Sequence, residues 1–373
     1  MSAEPAPGAL EMASPNLAAP GAAERPRPVV AGLVLFAALA LAALLGAIAI
    51  GPFSIAPGRV LAVIADALWG EGGGLAGAAL RERVVVMDVR LPRAVLGLLV
   101  GAGTAVAGAI MQGVFRNALA DPGLVGVAPG AALAAVTWVV FGGALAHLLP
   151  LGLQGLGLSL SAFTGGLLTT LLIARLATSD GHTSVATLLF AGLALGALAS
   201  AGTGVMVFMA SEQQTREFLF WTLGSLGGAT WLKAALTAPF VIALVALTPV
   251  LARGLDAMAL GEAEAYHVGI DVNRLKRVCV VAVAAGVGAA VAAAGVVAFV
   301  GLLVPHLARL VIGPGHRALL PASALLGAAV VLGADIAARM IAAPAELPLG
   351  VVTALIGAPF FLWLLMGRRA FAG

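Results

Sequence analysis

RLPRAVLGLLVGAGTAVAGAIMQGVFRNALADPGLVGVAPGAAL occupies residues 90–133, and its first half has no place in a water-soluble domain. Behind Arg93 an apolar run reaches Gln112, about the ~20 residues that a helix needs to cross a bilayer. Small residues crowd it, as in GAGTAVAGAIMQG at 101–113, and Ala and Gly let helix backbones approach closely in lipid. The same character extends over the whole chain of 373 residues, with 61% hydrophobic and 10% charged. Mean hydropathy is +1.09. A soluble domain carries about 25% charged residues, so this chain lacks the polar surface to face water.

Apolar runs between charge clusters give about ten spans by the same length criterion. They cover 29–50, 92–112, 122–143, 155–176, 185–209, 231–251, 276–297, 299–313, 318–341 and 349–367. The eighth is short and rich in glycine. The expectation is an all-α, polytopic membrane bundle, with residues 29–373 as one transmembrane domain. Residues 1–28 are rich in Pro and Ala, carry Glu4, Glu11, Glu24, Arg25 and Arg27, and lack a signal-peptide core. They read as a disordered cytoplasmic tail. Both termini fall on the cytoplasmic side when Lys and Arg are sorted by loop. The bias is weak, because Arg59, Arg81, Arg83, Arg90, Arg93, Arg216, Lys233 and Arg339 fall outside.

Two segments outside the spans are patterned. Residues 51–89 contain an amphipathic piece with Val60, Leu61, Ile64 and Leu68. Residues 252–275 read as two short surface helices, with apolar Leu255, Met258 and Ala259 and breaks at Gly261 and Gly269. The bland alternative for this loop is a linker. The single cysteine, Cys279, excludes an intramolecular disulfide or a cysteine metal cage. Basic residues form no stripe of the kind that binds nucleic acid.

The span interiors hold few ionisable groups; Asp335 and His306 come nearest, both towards span ends. Ion-coupled transporters place such groups at mid-membrane, so energy for pumping has to come from another subunit. The chain has no G-x-x-x-x-G-K-[ST] phosphate loop and no HExxH, so no enzyme activity is expected. Spans 2–5 and 7–10 begin from opposite sides, as in an inverted repeat.

Four stretches carry a family resemblance: residues 90–133, LDAMALGEAEAYHVGIDV (255–272), GVVAFVGLLVPHLARLVIGPGHRALLPASALLGA (295–328) and ADIAARMIAAPAELPLGVVTALIGAPFFLWLL (334–365). With the intervening spans they cover the chain from about residue 30, and they resemble the permeases of the iron-chelate, haem and vitamin B12 ABC importers (type II). One departure is Asn117, Ala118, Leu119, Ala120, where the family has Asn-Pro-Leu-Ala; a proline there would fix the turn.

The resemblance implies a homodimer in the inner (cytoplasmic) membrane of a bacterium. It also implies two cytoplasmic ATPase subunits, a periplasmic binding protein, no permanently bound cofactor and no metal site. ATP would be used by the partner ATPase. Arg90, Arg93 and Arg339 would then dock the binding protein; snorkelling at the headgroups is the alternative. In the coupling loop, Leu255, Met258, Leu260 and Gly261 would supply buried contacts to the ATPase, with Glu262 and Glu264 at the rim. The fifth span would line the pathway, with Ser184 at a cytoplasmic gate and Met206, Phe208 and Met209 facing cargo; helix packing explains these equally. His182 reads as a loop histidine before a haem ligand, and His306, Arg309 and His316 as structural.

SVATLLFAGLALGALASAGTGVMVF (184–208) and QQTREFLFWTLGSLGGATW (213–231) are most similar to the haem branch, so haem is the expected cargo. A ferric siderophore or cobalamin carried by the same machine is the alternative. A secondary transporter is a further alternative, against which the uncharged span interiors count.

Overall fold

The structure, a computed structural model, describes residues 29–69, 77–179 and 181–370. The expected tail at 1–28 lies outside them. The elements in order are α1 (Val29–Ala49), α2 (Pro57–Trp69), α3 (Ala78–Val84), α4 (Leu91–Val114), α5 (Val127–Leu145), α6 (Gly157–Leu176), the two-residue strands β1 (Thr178–Ser179) and β2 (His182–Thr183), and α7 (Val185–Met209). Then follow α8 (Glu212–Thr222), α9 (Trp231–Ala246), α10 (Thr248–Leu260), α11 (Glu262–His267), α12 (Val272–Ala294), α13 (Val300–Ile312), α14 (His316–Ile341) and α15 (Leu349–Ala370). The fold is all-α apart from the β1–β2 ribbon, as the composition predicts.

Among the described residues, seven helices are long and apolar enough to cross a membrane, or eight if α9 and α10, bent by 49°, form one span. The other two expected spans correspond to shorter apolar helices, Val300–Ile312 and Leu349–Trp363. Two differences from the sequence expectation have physical causes. The second span is longer, a continuous helix over Ala79–Val114, because Val85–Arg90 continues it as a π turn. The eighth is shorter, because Gly295 (φ 72) and Phe299 (φ 63) break the chain between α12 and α13. Bonds from elsewhere compensate that break: Ser225 N–H donates to the Ala294 carbonyl at 2.7 Å. Irregular backbone at membrane depth is tolerated where protein satisfies it.

Neighbour relations exchange between the halves. Helix α4 packs along α14, as α12 packs along α6; α5 packs on α6 and α7, as α13 packs on α14 and α15. The helices of spans 2–5 and of spans 7–10 thus keep matching neighbours. The centre is α4, buried almost throughout. Its glycines make this possible: a Cβ on Gly108 would meet the Gly301 carbonyl, and one on Gly101 the Gly327 carbonyl. The apolar core falls into clusters around α4, α12 and α14. In α2, Val60 and Val63 turn inward with Ile64 beside them. Leu61 points out at 65% exposure, since helical spacing groups i, i+3 and i+4.

Candidate functional site

Polar side chains concentrate at the two ends of the bundle. At the end where α4 begins, the π turn and the first turn of α4 bring Arg90 and Arg93 inward. Arg93 donates to Asp335 at 2.9 Å and to Glu346 at 2.8 and 2.9 Å. Arg339, one turn beyond Asp335 on α14, pairs with it at 3.1 Å and donates to the Ala47 carbonyl. Arg90 donates to the carbonyls of Ile48, Ala49 and Phe53, which satisfies the carbonyls that α1 exposes at its C-terminus. Buried charges persist only when paired and bonded in this way.

The three arginines expected to dock a binding protein are all drawn into this arrangement. Arg90, Arg93 and Arg339 are 3%, 7% and 4% exposed, and their donors are engaged within the chain. Their guanidinium forks bind α1, α4 and α14 together. The exposed cations at this end include Arg59, which is 54% exposed in its side chain and paired with Glu82 at 2.7 Å.

At the opposite end lies the patterned loop. Helix α10 stops at Gly261, whose φ of 143° is open to glycine and strained for other residues. Helix α11 stops before Gly269 (φ 83). Leu255 and Met258, expected to contact an ATPase, are fully buried in the chain's own core. Their helical spacing marks the inward face of α10 rather than a docking face. Leu260, Tyr266 and Val268 point away, 80%, 74% and 69% exposed. Gly261 is buried, Glu264 exposed, and Glu262 half-buried and paired with Lys276 at 2.7 Å.

Helix α7 follows the β1–β2 ribbon. Ser184 caps it by accepting from the Thr187 N–H at 3.2 Å. Only Leu188, Gly192 and Ala199 of this helix are buried. Met206 packs on the core, whereas Phe208 and Met209 are exposed, Phe208 at 90%. With Phe190, Leu193 and Leu198, they give α7 a broad apolar face that no described residue covers. His182 lies with Nδ1 3.2 Å from the Asn273 amide nitrogen. Among the described residues no three His, Cys, Asp or Glu side chains converge as a metal site.

Sequence reasoning misses three features. Lys276 is 2% exposed but stands in a charged cluster, RLKR at 274–277, that reads as solvated. Glu346 falls in a Pro-rich loop and shows no pairing signal. Asp256 accepts from the His316 backbone N–H and ring, at 2.7 and 2.8 Å. The acid at a loop and the His-Arg after a Gly-Pro-Gly turn are the only hint of that contact.

Comparisons with known proteins agree with this architecture. The model of the FecCD transport family matches residues 38–367. The hemin transport system permease protein HmuU of Yersinia pestis is 43% identical over 283 residues, covering 76% of this chain and 83% of the relative. The cobalamin import system permease protein BtuC of Halobacterium salinarum is 42% identical over 287 residues, covering 77% and 74%. A solved metal-chelate type ABC transporter in an inward-facing conformation superposes with a TM-score of 0.76 at 28% identity, over 90% of this chain and 98% of that one.

Proposed function

Because the chain belongs to the FecCD transport family, whose relatives are permease subunits of ABC importers, we propose that it forms the haem pathway of such an importer. ATP hydrolysis belongs to a separate chain of that machine. The pathway lies between two copies of this chain in the inner membrane, with the α11 end in the cytoplasm. Haem passes inward from a periplasmic binding protein.

The observation that carries this reading is the uncovered apolar face of α7, from Phe190 to Phe208. A second copy packed near it would enclose a wide apolar passage suited to a flat, largely hydrocarbon macrocycle. The hemin relative and the α7–α8 sequence support haem. The cobalamin relative, at 42% identity, supports cobalamin as the second reading, and both cargoes are bulky macrocycles. On the α11 side, exposed Leu260, Tyr266 and Val268, with Glu264 beside them, form the surface offered to the ATPase.

Uptake into proteoliposomes tests the proposal. They contain this chain and its ATPase, with a loaded binding protein outside and ATP enclosed. ATP-dependent haem uptake is the expected result. Uptake of cobalamin or a ferric siderophore instead would replace the cargo and keep the machine. Uptake without the ATPase would overturn the machine.

A further inference from the structure

Lys276 is the largest fully buried side chain in the described structure, and it carries a charge. It lies in the second turn of α12, after Asp271 caps that helix by accepting from the Arg274 N–H at 2.9 Å. Its ammonium donates to Glu262 Oε2 at 2.7 Å and to the Thr183 carbonyl at 3.0 Å. Glu262 is the first residue of α11, directly after the Gly261 joint. Thr183 ends β2 and immediately precedes Ser184, the cap of α7.

The ribbon is held to α12 a second time. Asn273 Oδ1 accepts from the Thr183 N–H at 3.0 Å. The ribbon is also tied within itself, through the Thr178 and Thr183 hydroxyls at 3.0 Å. A desolvated ammonium keeps its charge only while its acceptors stay in place. The Glu262 carboxylate therefore cannot leave without stranding the Lys276 charge or drawing it along. If the ammonium follows, the Thr183 carbonyl loses its donor or moves too. The three groups form a continuous polar link from α11, across α12, to the start of α7.

We propose that Lys276 is a positioning residue that transmits displacement of α11 to the β1–β2 ribbon and the first turn of α7. This rests on the proposal that α11 meets the ATPase and α7 lines the pathway. The link makes the closure of the α7 entrance follow the nucleotide state of the partner. Thr183 contributes its backbone carbonyl to the link, so it does not depend on the side chain at that position.

Hydrogen exchange on the full complex in lipid nanodiscs, with and without ATP, tests the link. In the natural complex, amides of 262–268 and of 178–187 should both change protection with ATP. In Lys276→Met, which keeps bulk and removes the charge, the 262–268 response should persist. The 178–187 response should fall about fivefold or more, the size of a typical coupling. Lys276→Met combined with Glu262→Gln removes both charges, so that neither is stranded, and should give the same split, which keeps the test available if Lys276→Met alone fails to fold. An undiminished 178–187 response in either folded variant would overturn the link. So would a natural complex in which 262–268 responds and 178–187 does not. If 262–268 itself ignores ATP, α11 is not the ATPase contact and the proposal falls with that reading.

Discussion

Arg93 and Asp335 stand 242 positions apart in the chain, yet their side chains meet at 2.9 Å in a site from which both are largely hidden. The pair fastens α4 to α14, and Asp335 also holds Arg339. Removing one member leaves desolvated charge behind, which costs far more than the net contribution of the pair. Asp335→Ala should therefore destabilise the chain by about 3 kcal/mol or more. Arg59→Ala, which breaks the exposed pair with Glu82, should cost about 1 kcal/mol or less. Thermal unfolding of the purified chain in detergent checks both; equal small shifts would mean that the buried site is wet.

Arg90 offers a cleaner separation between docking and structure. Its guanidinium satisfies two backbone carbonyls at the end of α1, Ile48 and Ala49, and that of Phe53 in the loop beyond. Arg90→Ala should cost about 1–3 kcal/mol, the penalty for stranded buried acceptors. Arg90→Lys should recover only part, since one ammonium cannot reproduce the planar fork. Two measurements on the same variant decide: melting of the chain alone, and affinity of the folded permease for a loaded binding protein. An unchanged melting temperature, combined with lost affinity for a binding protein, would return Arg90 to a docking role.

These arginines show what is and is not legible in the sequence. Apolar runs reveal α1, α5, α6, α7 and α14, because lipid tolerates a crossing chain only as a continuous apolar helix or closed barrel. Gly261 and Gly269 likewise mark real helix ends. Which way a charge turns is not local information. Arg90 and Arg93 resemble rim charges in one dimension, and only the π turn before α4 and distant partners on α1 and α14 bury them. The inward Leu255 and Met258 have the same origin. An amphipathic spacing identifies one apolar face but does not say whether the chain's own core or a partner receives it.

Glycines on α4 supply a third prediction. Gly108 lies against the Gly301 backbone, where an added methyl has nowhere to go. Backbone cannot step aside as a flexible side chain does. Gly108→Ala should push α4 from α13 and cost about 2–3 kcal/mol as overpacking. Gly143, in α5, has open space around it. Gly143→Ala should be neutral or stabilise by up to about 1 kcal/mol through helix propensity. Yield and melting temperature of the two variants, side by side, provide the comparison; a tolerated Gly108→Ala would contradict the close crossing.

The last prediction separates the two faces of the α10–α11 segment. Met258 is fully enclosed with Ala265 and Val272, whereas Tyr266 is 74% exposed on the same short stretch. Met258→Ala removes buried volume and should destabilise the chain by about 2–4 kcal/mol. Its effect on the ATPase should be confined to that loss of folded protein. Tyr266→Ala removes no core contact and should leave stability within about 0.5 kcal/mol of the original. It should, however, weaken retention of the ATPase on the purified permease, because exposed aromatic side chains dominate contact energy where a partner buries them. Quantifying the ATPase that co-elutes with each variant, alongside its melting curve, resolves the two effects. Full retention by Tyr266→Ala would exclude this face as the site of contact, whatever the fate of Met258→Ala.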